Sequence, residues 1–146
     1  MRRPRQRRPD APSVSERTLA RAARSVLRWE GAVRARVDIT LLDAAAMRQL
    51  NRRATGRRGI TDVIAYTLPQ ADGTIVGDVY LCPAAAAQWA VDGRHGIRDE
   101  LVRLVVHGTL HVLGYDHPNG SGRTRSAMWR RQERYVKRLQ GRGRGS

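Results

Sequence analysis

IRDELVRLVVHGTLHVLGYDH (97–117) joins a long apolar helix to a cluster of histidines. Leu101, Leu104, Val105 and Leu110 fall on or near one helical stripe, and Val102, Val106 and Val112 fill out the apolar surface. A helix apolar around so much of its circumference must be largely buried, so the rest of the chain packs around it. Gly114 is a natural stop, because glycine accepts the left-handed conformation that closes a helix. Three of the four histidines, His107, His111 and His117, lie within these eleven closing residues. His107 and His111 are i and i+4, so their rings stand on one face, one turn apart. Two imidazoles so placed can share one metal, and a chain reversal at Gly114 gives His117 a route to the third position. Three neutral imidazoles leave a coordination site open, as catalytic zinc centres do, whereas structural sites use four ligands and often cysteine. The one cysteine, Cys82, sits far away in sequence at a strand end. One zinc ion per chain is therefore expected on His107, His111 and His117; nickel, cobalt and copper suit the same ligands.

Outward from this helix the pattern alternates between helix and strand. Ser13 or Ser15 can cap a first helix, in which Leu19, Ala22, Ala23, Val26 and Leu27 recur at helical spacing up to Gly31. ARVDITLLD (35–43) alternates as a half-buried strand, and Asp43 stands at an N-cap before the helix AAAMRQLNRRA. TDVIAYTL (61–68) and TIVGDVYLC (74–82) read as hairpin partners across a turn at Pro69–Gly73. Gly77 inside the second of these suggests a bulge or a close backbone approach. Pro83 suits the first turn of the helix that follows. TRSAMWRRQERYVKRLQ (124–140) is a final helix with Met128, Trp129, Tyr135, Val136 and Leu139 facing inward. The expectation is one α+β domain over residues 13–140, with a small mixed sheet of three or four strands packed with about five helices. MRRPRQRRPDAP (1–12) reads as a disordered basic arm and GRGRGS (141–146) as a disordered tail.

Charge narrows the partner. The 146 residues carry 28 Lys+Arg and 13 Asp+Glu, net +15. Residues 1–12 hold net +4 and residues 121–146 net +8, so the body is only mildly basic. A polyanion is the first partner to consider. Aromatic residues are 5% with no phenylalanine, which argues against a broad base-stacking platform. Substrate binding would lean on charge and be salt-sensitive. No run of about 18 apolar residues is present, so no membrane span is expected. A single cysteine fits a reducing, cytoplasmic location.

The spacing HxxxHxxGxxH is that of the metzincin proteases, which carry a glutamate directly after the first histidine as general base. Here that position is Gly108, so peptide hydrolysis lacks its base. A bound metal still lowers the pKa of its water from 15.7 to about 7, which suits attack on a phosphodiester. HGTLHVLGYDH (107–117) resembles the signature of the YbeY family of metal-dependent single-strand endoribonucleases. LNRRATGRRGITDVIAY (50–66), GDVYLCP (77–83) and MWRRQERYV (128–136) resemble further family segments, and together these cover about residues 35–140. The resemblance implies a zincin-like α+β fold, zinc on the three histidines, and action on ribosomal RNA at the small-subunit 3′ end and in ribosome quality control. It implies the ribosomal small subunit and its assembly factors as partners.

Thr55 departs from that pattern, standing where the family has an arginine. Arg52, Arg53, Arg57 and Arg58 surround it, and Arg57 is the candidate to supply the missing cation. These arginines read equally as phosphate contacts and as a solvated basic loop. Tyr66 or Tyr115 is placed to stack one base. Asp116 reads as a turn cap, as a residue orienting a ligand imidazole, or as a proton acceptor. His95 reads as a surface residue. The rival to an endoribonuclease is a non-catalytic ribosome-assembly factor that binds RNA and holds a structural metal.

Overall fold

The computed structural model describes residues 14–92, 96–117, 122 and 126–143. Among these, five helices and three strands follow in the order α1 (Glu16–Trp29), β1 (Ala35–Leu41), α2 (Ala44–Thr55), β2 (Val63–Pro69), β3 (Ile75–Leu81), α3 (Pro83–Asp92), α4 (Ile97–Val112) and α5 (Ala127–Gly143). The expected α+β architecture is thus the observed one, with three strands. The basic arm and His95 lie outside the described residues. So does 144–146, while α5 runs on into the expected tail as far as Gly143.

Local chemistry sets the boundaries. Ser15 caps α1, its side chain accepting the Thr18 N–H, and the other expected candidate, Ser13, lies outside the described residues. Asp43 caps α2 by accepting the Ala46 N–H at 2.8 Å, which ends β1 at Leu41, two residues before the expected limit. Asp72 closes the β2–β3 turn, accepting from the Thr74 N–H and hydroxyl at 3.0 and 2.6 Å. Ser126 accepts the Trp129 N–H at 3.1 Å and opens α5.

The sheet order is β1-β3-β2, with β3 parallel to β1 and antiparallel to β2. Its α4-facing side carries Val37, Ile39, Val79, Leu81, Val63 and Ala65, packed with α1 and α4 in the main core. Two glycines set how closely α4 approaches β3. A Cβ at Gly108 would lie 2.7 Å from Val79 Cγ1, and one at Gly77 would collide with Val112. The close approach suggested by Gly77 is therefore real, and β3 runs without a bulge. The Thr67 hydroxyl, donating to the Val112 carbonyl at 3.2 Å, ties β2 to the same end of α4. Leu101, Val105, Val106 and Leu110 are fully buried. Each contributes about 1.5–3 kcal/mol of burial, so α4 is firmly anchored in the core, and it carries two of the three clustered histidines.

Candidate metal centre and adjoining cleft

His107 and His111 project from the last two turns of α4, and the chain beyond brings His117 back beside them. The reversal is a full helix-closing turn. Gly114 takes φ +99, its N–H donates to the His111 carbonyl at 3.0 Å, and the Tyr115 N–H donates to the Leu110 carbonyl at 3.0 Å. The three rings then form a triangle with centroid separations of 4.5, 5.0 and 5.0 Å. One nitrogen from each lies within 4.8 Å of the other two. His107 is 7% exposed, while His111 and His117 are half-buried.

The hydrogen bonds decide which nitrogens are offered. His111 Nδ1 lies 2.9 Å from the Tyr115 carbonyl oxygen, which can only accept. The His111 proton is therefore on Nδ1, and in the neutral ring Nε2 keeps a lone pair. His107 Nδ1 lies 2.7 Å from Gln132 Oε1 and is placed in the same way. The two Nε2 atoms face each other at 3.0 Å. Two lone pairs at that distance repel unless a cation or a proton lies between them. A divalent ion held by Nε2 donors satisfies both at once, so the donor set fits a metal. Cys82, by contrast, is buried in the core and is not one of the clustered groups.

Beside the triad a cleft of about 540 Å³ is lined by Asn51, Thr55, Arg57, Arg58, β2 from Val63 to Ala65, Gly108 and His111. Gly108 therefore serves two ends. It lets α4 meet β3, and it leaves the wall next to His107 without a carboxylate. Asn51, 7% exposed, donates from Nδ2 to the Gly59 carbonyl at 3.2 Å. Thr55 Oγ1 sits 2.8 Å from the Asn51 carbonyl and accepts the Arg57 N–H at 3.1 Å. Thr55 thus shapes the loop that presents Arg57 and Arg58 to the cleft.

The other sequence candidates lie elsewhere. Arg52 and Arg53 are exposed in the last turn of α2 and are not among the lining residues. Tyr66 pairs with Asp78 and meets the Tyr80 ring edge-on at 6.1 Å, on the sheet face opposite α4. Tyr115 packs in the second apolar cluster, with the Arg131 guanidinium 5.2 Å from its ring centre. Burial and the neighbouring Glu30 hold its phenol above the ordinary tyrosine value. Asp116 Oδ1 accepts the backbone N–H of His117 at 2.8 Å, a turn-capping contact. Sequence reasoning misses Gln132, although it is 1% exposed and touches a triad nitrogen. A signal exists: positions 128, 132, 135, 136 and 139 make one stripe, and Gln132 is the polar member of that stripe.

Comparison with known proteins points to one family. A family model described as Endoribonuclease YbeY matches residues 6–140. A Micrococcus luteus protein named Endoribonuclease YbeY is 38% identical over 139 residues, 88% of this chain and 87% of that one. A Mycolicibacterium gilvum protein of the same name is 39% identical over 116 residues, 71% of this chain, and the chain spans just under two thirds (65%) of that longer relative. The solution structure of TM1509 from Thermotoga maritima superposes with a TM-score of 0.63 at 26% identity, covering 90% of this chain and 88% of that one. With sequence, family model and fold in agreement over nearly the same span, the chain belongs to the YbeY endoribonuclease family.

Proposed function

We propose that this chain is a zinc-dependent, single-strand-specific endoribonuclease that acts in the cytoplasm on ribosomal RNA, maturing the small-subunit 3′ end and serving ribosome quality control. The ribosomal small subunit and its assembly factors are the partners in this reading. The observation that carries it is the convergence of three imidazoles beside a basic cleft whose wall, at Gly108, has no carboxylate. When bound, a divalent ion supplies Lewis acidity and a water of lowered pKa.

The chain's own residues supply the rest. His107, His111 and His117 hold the ion. Arg57 and Arg58 draw the RNA backbone into the cleft and offset the charge that builds on the phosphate. Thr55 and Asn51 hold the loop that presents them. Arg52 and Arg53 extend the positive surface along α2, Tyr66 offers an aromatic surface for a base on the far face, and Asp116 keeps His117 in register through its backbone.

Chelation followed by two measurements tests the proposal against an assembly factor with a structural metal. Cleavage of a single-stranded RNA should stop, while circular dichroism should show the helices intact. Unfolding on chelation, or cleavage that survives it, contradicts the catalytic reading. No helix among the described residues is long and apolar enough to cross a membrane.

A further inference from the structure

A chain of contacts runs from the surface of α5 to the triad. Arg103 grips Glu133 through two bonds, Nε to Oε1 at 2.7 Å and Nη2 to Oε2 at 3.1 Å. Glu100 Oε2 lies 3.6 Å from the same guanidinium. The hydrogen bonds to Glu133 hold Arg103 above its ordinary pKa, so it stays a cation throughout. Glu133 Oε1 also accepts from Gln132 Nε2 at 3.2 Å. The other end of that amide, Oε1, faces His107 Nδ1 at 2.7 Å.

Each link has one allowed polarity. A carboxylate held by arginine can only accept, so it takes the amide NH₂ of Gln132. Rotating the amide by half a turn would set its oxygen against the carboxylate and its NH₂ against the imidazole. With the carbonyl oxygen fixed toward His107, the ring must carry its proton on Nδ1. Nε2 is then the lone-pair end, and it faces His111.

We infer that Gln132, oriented by the Glu133–Arg103 ion pair, is a positioning residue that locks His107 in the metal-ready tautomer; this rests on the metal reading given above. The alternative state shows what the lock prevents. Without an acceptor at Nδ1, His107 can carry its proton on Nε2. That proton would donate across the 3.0 Å gap to His111 Nε2. The two imidazoles would then satisfy one another and close the site to an ion. Gln132 is 1% exposed, so water does not replace it as acceptor. A neutral amide also sets the tautomer without adding a second carboxylate beside Glu133.

The test compares wild type, Gln132→Leu, which fills similar space without an acceptor, and Gln132→Glu, which restores one. Ring-nitrogen NMR of the metal-free protein near pH 8, where free imidazoles are neutral, reads the tautomer. Competition titration with zinc alone reads affinity. Wild type and Gln132→Glu should show His107 protonated on Nδ1. Gln132→Leu should gain the Nε2–H form and lose about 10- to 100-fold in zinc affinity. Gln132→Met, a flexible apolar replacement, serves if the leucine variant does not fold. Nδ1–H spectra and unchanged zinc affinity in the apolar variants overturn the inference. Failure of wild type to bind zinc overturns the metal reading instead, and the spectra still decide the role of Gln132.

Discussion

The histidine triad and the arginine loop border one cleft, yet they are held in opposite ways. The triad stands at the end of α4, with two Nδ1 atoms tied to fixed acceptors and the third ring brought in by a closed turn. Residues 56–61 are held by a few bonds, chiefly Thr55 to the Arg57 amide and Asn51 to the Gly59 carbonyl, and the guanidinium-bearing residues are exposed. A group that must hold an ion at one distance gains from rigidity. A group that must follow a flexible polyanion loses little by moving. Under the function proposed above, the helix holds the ion while the loop captures and steadies the substrate.

Substitutions can break or sharpen that division. His111→Ala should produce the largest effect: zinc content of the purified protein falls from one per chain toward none, and RNA cleavage drops by more than the roughly 10- to 100-fold typical of outer-shell changes. Full cleavage with no bound metal would end the division. Gly108→Glu comes next. Its side chain meets Val79, and overpacking there should cost about 1–3 kcal/mol or more, lowering Tm by several degrees in a scanning calorimeter. It should not create peptidase activity on casein.

Arg57→Ala with Arg58→Ala should leave zinc affinity and Tm nearly unchanged, within about 0.5 kcal/mol. RNA binding should weaken and the slope of log affinity against log salt should flatten, by about 0.7 for each phosphate of a single strand that is no longer neutralised. A salt slope equal to wild type would return these arginines to the role of solvated surface. Thr55→Val is the smallest change. It removes hydroxyl bonds worth about 1 kcal/mol and should lower denaturant stability by that amount without altering zinc content.

The same division explains what the sequence makes legible. The triad is legible because its information is local: an i, i+4 pair, a glycine, and one more histidine three residues on. The hairpin and α4 are legible from patterning that the core then confirms. Gln132 is hidden because its partner lies 25 residues away, and a helix stripe does not say which polar member will meet which ring. The packing of Gly108 on Val79 is hidden for the same reason, since glycine in a helix is costly until something non-local requires it. The position of Tyr66 turns on the strand's register. β2 is half-buried from Val63 to Tyr66 and exposed beyond, so no alternation marks its two faces.

The turn at Gly114 carries one further consequence. Its amides donate back to Leu110 and His111, while the Tyr115 carbonyl accepts from the His111 ring four residues before it. Fraying of the helix end and release of an ion then become one thermodynamic event, linked by mass action. Backbone amides at Leu113, Gly114 and Tyr115 should exchange with deuterium more slowly as zinc is added, making this short segment a reporter of occupancy.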